Sequence, residues 1–219
     1  PGSPRLIRGG IVLFDPDSAA VQRIIALQYN PDTLTRTLQP QAIGGEAGDR
    51  LEALRLKGPA IETIKLDAEF DATDALAAPD RNPSAVALGI YPQLAALETI
   101  VYPSTSHLQF NRSLSHLGTL EIAPTEQPLT LFIWSKNRIL PVRLTEFSIT
   151  EEAFDPQLNP IRAEVSVSLK VLLPSQVDTQ GGFARGAYRY SQGVKEVLAA
   201  LNQSNAVSIG VSPNLSSLL

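Results

Sequence analysis

The sequence contains no cysteine and only two histidines among its 219 residues. Without cysteine the chain cannot form a disulfide, a thiolate nucleophile or a zinc–thiolate site. The histidines, His107 and His116, lie in a polar stretch that we predict to be a loop, and the sequence has neither an H-E-x-x-H metal motif nor a G-x-S-x-G nucleophile motif. We therefore expect no metal site, no cofactor and no catalytic residues.

Clustered positive charge and long apolar runs are also missing. The chain has 18 Lys and Arg against 22 Asp and Glu, and its basic residues are scattered. Nucleic-acid binding needs grouped Lys and Arg to neutralise phosphates, so we expect no nucleic-acid partner. No run approaches the roughly 18 apolar residues that span a bilayer, and the first residues lack the apolar core of a secretion signal. We expect no direct membrane insertion and assembly in the cytoplasm.

Two segments alternate between apolar and polar residues, as strands with one buried face do. The apolar members are Ile64, Leu66, Ala68 and Phe70 in the first segment and Ala163, Val165, Val167, Leu169 and Val171 in the second. The acidic residues Asp67, Glu69 and Asp71 alternate with the first set. This alternation favours a solvated strand face over a paired-carboxylate or calcium site.

Further strands are predicted as hairpins. One joins Gly9–Pro16 to Gln22–Pro31, and another turns at Ser135–Asn137. Downstream, Phe147 and Ile149 have the opposite parity to Val142 and Leu144. Such a phase change predicts a β-bulge near Thr145.

Helical spacing occurs in two places. Pro92 is a suitable first-turn residue for a helix over Gln93–Val101. A second helix is predicted over Ala187–Leu201, and its apolar side would pack on the sheet or on a neighbour. That side carries Val194, Val197, Leu198 and Leu201.

Together these elements predict a mainly β (α+β) fold, an antiparallel sheet or partly closed barrel with two or three helices. We expect a β-rich core domain over residues 1–173, with a helical insertion near 73–101. Residues 174–201 would form a connector and the C-terminal helix. Residues 202–219 would form a flexible tail that binds a partner.

Four segments of the chain resemble landmarks of one family. They are Gln28–Pro40, which begins QYNP, then Gly58–Asp74, Gly89–Pro103 and Leu131–Leu172. In this order and combination the chain resembles the tube-associated baseplate proteins of contractile injection systems, phage-tail-like particles made by bacteria. The resemblance implies a fold like that of tail-tube and baseplate hub proteins. Members of this family often continue into a LysM-type peptidoglycan-binding module, for which the residues after Leu173 are too few.

The resemblance also implies a structural role without enzymatic activity. The protein would be one of six copies in a ring, a homo-hexamer, that joins the inner tube, the spike hub and the baseplate. Its partners would be the tube, spike or hub, and baseplate wedge proteins of one particle, which is assembled in the cytoplasm and then released or docked at a membrane.

Two sets of residues are candidates for contacts with these partners. The first is Tyr29, Asn30, Pro31 and Leu34, for which a purely structural turn is the alternative. The second is Val207, Ile209, Val211 and Leu215 in the tail, for which disorder is the alternative.

Two other functions are compatible with this sequence. Alternating strands also permit a small-ligand-binding β-barrel, which would be a monomer with an apolar cavity. An enzyme acting through carboxylates would need a buried acid pair, which the sequence does not indicate.

Overall fold

The computed structural model describes residues 7–15, 20–42, 56–102, 109, 112, 128–177 and 182–202. Seven strands in these residues form one antiparallel sheet with the order β2-β1-β5-β6-β7-β4-β3. The strands are β1 Gly10–Phe14, β2 Val21–Ala26, β3 Leu34–Ala42, β4 Leu56–Asp71, β5 Leu129–Ser135, β6 Arg138–Phe154 and β7 Pro160–Val171. The predicted mainly β fold is confirmed.

The described residues also form four α-helices. These are α1 Thr73–Leu76, α2 Pro83–Leu88, α3 Tyr91–Glu98 and α4 Gly182–Leu201, with a 3-10 turn at Pro79–Arg81. Three of the helices lie between β4 and β5. Helix α3 begins just before Pro92, close to the predicted start.

The main core lies on one face of the sheet, where the alternating residues of β4 and β7 are all buried, as predicted. A smaller cluster, Val12, Phe14 and Leu131, lies on the opposite face of β1 and β5. The β-bulge is also confirmed, because the register of β6 against β7 shifts between Leu144 and Glu146. At the bulge the Thr145 hydroxyl donates to the Ser168 carbonyl oxygen at 3.1 Å. The extra residue returns Phe147 and Ile149 to the core face.

The sheet is strongly curled, and it stays open. Strands β1 and β4 are four positions apart in the sheet, which corresponds to about 19 Å if the sheet were flat. Yet the Leu27 amide donates to the Gly9 carbonyl beside β1, and the side chain of Gln28, the next residue, bonds to Asp71 of β4. Leu27 and Gln28 are adjacent, so they can bond to Gly9 and to Asp71 only if the sheet curls and brings β1 close to β4. Within the described residues, the edge strands β2 and β3 do not pair with each other.

Helix α3 fills the interior of this curl. Its residues Leu94 and Leu97 are buried in the core with the flanking Ile90 and Ile100. Outside the core, the Arg23 guanidinium of β2 donates to the Ala96 carbonyl at 3.4 Å and to the Thr99 hydroxyl. Helix and edge strand are thus joined by both apolar packing and hydrogen bonds.

Helix α4 contacts the sheet through other residues than those of its predicted apolar side, so packing of that side on a neighbour stays a prediction. Its buried residues are Ala184, Tyr188 and Ser191, whereas Val197, Leu198 and Leu201 are exposed. The Phe183 ring lies 4.8 Å from the Phe14 ring, and the Tyr190 hydroxyl donates to the Lys136 carbonyl at 2.9 Å. The residues Val197, Leu198 and Leu201 of the predicted apolar side therefore do not take part in the contact between α4 and the sheet.

A charge on the core face should disrupt the fold. Val167 is 5% exposed in the middle of β7, so Val167→Asp places a carboxylate among aliphatic side chains without a partner. We expect a loss of about 3 kcal/mol or more in the free energy of unfolding, measured by urea denaturation followed by circular dichroism.

Thr35→Asp is the matched control. Thr35 is exposed on β3 and lies opposite Lys65 of β4, so the same carboxylate meets water and a cation there. We expect a change within about 0.5 kcal/mol. An unchanged urea midpoint for Val167→Asp would contradict the burial of this face of β7.

Candidate functional site

The QYNP segment connects the two edge strands, and its first amide side chain pairs with β4. Gln28 Nε2 donates to the Asp71 carbonyl oxygen at 2.6 Å, and the Asp71 amide donates to Gln28 Oε1 at 3.0 Å. The side chain thus satisfies both backbone groups of the last residue of β4, as a neighbouring strand would.

Asn30 makes the corresponding pair of bonds with the chain before β1. Its Oδ1 accepts from the Gly9 amide at 2.9 Å, and its Nδ2 donates to the Ile7 carbonyl oxygen at 2.9 Å. These bonds favour a structural role for Asn30. Leu34 is half-buried and packs against the core. Tyr29 differs, since it is 44% exposed between the two anchoring amides.

A groove of about 500 Å³ lies beside this segment, on the outer face of the sheet. Its lining includes Tyr29, Asn30 and Pro31, together with the acidic residues Asp32, Asp67, Glu69, Glu152 and Glu164 and the single cation Arg162. Asp67 and Glu69 are exposed as predicted, whereas the side chain of Asp71 is only 13% exposed. Such a lining attracts a basic segment more than an apolar ligand.

Like charges face each other inside this groove. Glu69 of β4 is directly opposite Glu164 of β7, an arrangement that disfavours pairing of the two strands. Arg162 offsets part of this repulsion, with Arg162 Nη2 2.8 Å from Asp71 Oδ2 and Arg162 Nε 3.9 Å from Glu69 Oε1. The remaining negative charge is available to a cation from outside.

The loop between β6 and β7 presents a large apolar side chain to solvent. Leu158 is 73% exposed and has a positive φ of 66°, which is uncommon for a bulky residue. Asp155 fixes the loop, because its Oδ1 accepts from the amides of Gln157 and Asn159, both at 2.8 Å. The hydrogen bond from the Asn159 side chain, followed by those backbone bonds, lowers the pKa of Asp155.

Helix α2 lies next to this loop. Asn159 Nδ2 donates to the Ala87 carbonyl at 3.2 Å, and the Ile90 amide donates to the Pro160 carbonyl at 2.9 Å. Gly89 has a φ of 56°, and a Cβ on it would lie 2.2 Å from the Pro160 oxygen, so only glycine allows this approach. The exposed apolar residues of this loop and helix are Val86, Leu88, Phe154 and Leu158, and we call them together the loop patch.

A buried carboxylate links three parts of the fold on the core face. Glu62 of β4 is 5% exposed and accepts from Arg36 of β3 at 2.6 and 2.7 Å and from Lys195 of α4 at 3.1 Å. Burial, and then repulsion from Arg36, lowers the pKa of nearby Arg138, while Glu62 opposes this change. The cluster holds β3 and α4 on β4.

The arrangement of titratable groups does not suggest a reaction. In the part of the chain that the structure describes, no group of three or more His, Asp or Glu residues is placed to hold a metal ion, and no helix is long and apolar enough to cross a membrane. His107 and His116 lie outside the described residues, as do the tail candidates Val207, Ile209, Val211 and Leu215. The absence of catalytic residues stays a prediction.

Sequence reasoning missed the loop patch and the Glu62 cluster. The residues DPQLNP at 155–160 signal a turn, but no pattern along the chain reveals that this turn meets α2. Glu62, Arg36 and Lys195 are likewise far apart in sequence.

Comparison with known proteins gives little further identification. No family model matches the chain, and no curated protein matches it. One similar solved structure is described as the tail of an empty GTA particle with C6 symmetry. It is 13% identical, the match covers 75% of this chain and 91% of that chain, and the TM-score is 0.29. A likeness at this score establishes neither a family nor a function.

Removing the Asn30 side-chain amide should weaken the attachment of the QYNP segment to the chain before β1. Asn30→Ala leaves the Gly9 amide and the Ile7 carbonyl without their partner, so we expect a loss of about 1–3 kcal/mol in the free energy of unfolding. Urea denaturation measures this change. Tyr29→Ala, at the adjacent exposed position, is the control and should change stability by about 0.5 kcal/mol or less. Equal effects of the two variants would contradict the anchoring role.

The Asp71 carboxylate should make stability fall at acid pH. Hydrogen bonds from Thr73, and then Arg162, lower the pKa of Asp71. A lowered pKa contributes stability above the unfolded-state value of 3.8, and this stability is lost as the pH falls through the folded-state pKa. The gap in unfolding free energy between the wild type and Asp71→Asn should therefore shrink below about pH 4. Parallel curves from pH 7 to the acid limit would contradict this assignment.

Proposed function

We propose that this protein is a structural subunit of a contractile injection system baseplate. It joins the inner tube, the spike hub and the baseplate wedge proteins by protein–protein contacts, without a covalent step. The observation that carries the proposal is the curled, open sheet. Its edge strands, β2 and β3, are not paired with each other in the described residues. An unpaired strand edge presents a row of amide and carbonyl groups to another chain.

The two edges are suited to repeated contacts between copies. They differ in sequence, so an edge-to-edge contact joins β3 of one copy to β2 of the next. Heterologous contacts of this kind close into a ring when the rotation between copies allows it. Val21, Ile24 and Leu38 are exposed on these strands and would be covered in such a contact. We propose six copies, in line with the resemblance of the sequence.

Other surfaces are suited to different partners. The loop patch offers apolar contact area on a loop that Asp155 holds in place, and preorganised loops lose little entropy on binding. The acidic groove beside Tyr29 would take a basic segment of a neighbour. Tyr29, Pro31 and the tail residues stay our candidates for contact, and Asn30 and Leu34 would support the segment from behind.

A small-ligand-binding barrel is the alternative function. That role needs an apolar cavity inside the barrel. Here Leu94 and Leu97 of α3 are packed into the core face of the sheet, and the groove beside Tyr29 is acidic and lies outside it. No specific observation in the described residues favours the alternative.

Electron microscopy of particles from cells with and without the gene tests the proposal. We expect loss of sheathed rods, or rods without a baseplate, when the gene is deleted. Complementation with the wild-type gene should restore them. Complementation with Leu158→Asp should not, because the charge falls within the loop patch.

Asp80→Lys is the control, since it changes charge at an exposed residue of the 3-10 turn and should restore assembly. Unchanged, contractile particles in the deletion strain would refute the structural role and favour the ligand-binding barrel.

A further inference from the structure

Four charged side chains lie together where the core face of the sheet reaches solvent. Arg36 of β3 is paired with the core residue Ile64, and Glu62 lies two residues before Ile64 on β4, so both are on the core face. Arg138, two residues before a core residue of β6, is on this face as well. Lys195 reaches Glu62 from α4. We define the cationic cluster as Arg36, Glu62, Arg138 and Lys195.

The cationic cluster lies at an open end of the core. Leu38 is paired with Glu62 and therefore lies on the same face, but it is 51% exposed. The side chains of Arg36 and Lys195 are 26% and 38% exposed. Arg138 is also partly buried. The cluster is thus sheltered enough to strengthen electrostatic interactions and open enough to admit a ligand.

Positive charge exceeds negative charge in this cluster. Both oxygens of its carboxylate are engaged, since Glu62 Oε1 accepts from Arg36 at 2.6 and 2.7 Å and Glu62 Oε2 accepts from Lys195 at 3.1 Å. Arg138 adds a third cation. Burial, and then repulsion from Arg36, lowers the pKa of Arg138, and the attraction of Glu62 offsets only part of this effect. The fold therefore holds the Arg138 guanidinium where its charge is unfavourable.

Arg138 differs from the other partly buried arginines because it has no partner. In the described part of the chain these arginines are Arg36, Arg138 and Arg185. Arg36 bonds to Glu62, and Arg185 donates to the Val177 carbonyl at 3.4 Å. Among the described residues, the Arg138 side chain forms neither a hydrogen bond nor an ion pair. Its five N–H donors are available to a ligand.

The ligand that suits these groups is a carboxylate. A guanidinium binds a carboxylate through two parallel hydrogen bonds, which fix the orientation of the ligand as well as its position. Glu62 shows this chemistry within the cluster, because its carboxylate accepts from one guanidinium and one ammonium group. The choice of a carboxylate over other oxyanions rests on the proposed function, since a partner protein presents its negative charge as Asp and Glu side chains.

We propose that the cationic cluster is a docking site for an acidic side chain of a partner protein. Arg138 forms the hydrogen bonds to the partner's carboxylate, and the positive charge of Arg36 and Lys195 adds to the attraction. Glu62 is already neutralised by its two cations, so it does not repel the ligand strongly. The bound carboxylate offsets the excess positive charge that the free protein retains.

Stability measurements separate this role of Arg138 from a purely structural one. Arg138→Gln should leave the urea midpoint unchanged or raise it, because the fold opposes the charge at this position. Arg36→Gln should lower the midpoint, because Glu62 loses its guanidinium partner and stays buried. An equal loss of stability in both variants would show that Arg138 serves the fold, and would overturn the proposal.

An NMR titration of the full chain tests binding directly. The probe is a triglutamate peptide blocked at both ends, and we expect a saturable change in the Nε–H resonance of Arg138 with a Kd on the order of 1 mM. A blocked triglutamine peptide should cause no change. Arg138→Gln should weaken binding, followed by the backbone amides of β6, by about tenfold or more.

Arg143→Gln is the matched control, because it removes the same charge from an exposed position of the same strand. This variant should change the Kd by less than about twofold. Equal binding by the wild type and Arg138→Gln would overturn the role of Arg138. Binding of inorganic phosphate without binding of the triglutamate peptide would overturn the assignment to a carboxylate.

The outcome is separable from that of the proposed function. Failure of the triglutamate peptide to bind, with sheathed rods or baseplates lost in the deletion strain, would refute this docking site alone. Binding that depends on Arg138, with unchanged particles in the deletion strain, would refute the proposed function alone.

Discussion

The rest of the fold depends on the short connection between the two edge strands. Residues 27–33 must lead from β2 at one side of the sheet to β3 at the other, so the sheet has to curl until its sides approach. Gln28 and Asn30 hold this connection with paired hydrogen bonds to β4 and to the chain before β1. The curl creates the interior that α3 fills. It does not close completely, so the edge strands β2 and β3 do not pair with each other in the described residues.

Local patterns predicted the strands well, because burial on one face of a sheet is recorded at every second residue. The alternation around Val167 and the bulge near Thr145 follow from the sequence for that reason. The curl and the roles of Gln28 and Asn30 do not, since they depend on residues more than 20 positions away. Glu62 occupies the core-facing position of β4 that precedes Ile64, where an apolar residue would continue the pattern. Nothing near Glu62 in the sequence identifies Arg36 and Lys195 as its partners.

Helix α4 shows why an apolar pattern can predict a helix without identifying the face that contacts the sheet. The residues of α4 that contact the sheet are Ala184, Tyr188 and Ser191, together with Phe183, whose ring lies beside Phe14, and an ion pair holds Lys195. The contact therefore uses mainly the first half of the helix. A buried ion pair is weak evidence for stability, because desolvation offsets much of the attraction. It does fix geometry, since Lys195 has to face Glu62. The larger aliphatic residues are thereby directed away from the sheet.

The exposed apolar residues therefore have a common physical origin. The main core face of the curled sheet buries the alternating residues of its strands and of α3, and the opposite face buries the smaller cluster of Val12, Phe14 and Leu131. Leu158 keeps a left-handed backbone, which costs of order 1 kcal/mol or more, while exposing most of its side chain. Hydrogen bonds from Asp155 maintain that conformation without any contribution from apolar burial. The hydrogen bonds of this loop and the ion pair of Lys195 therefore fix the position of exposed surfaces and add little to the burial of the core. The proposed function depends on such fixed surfaces.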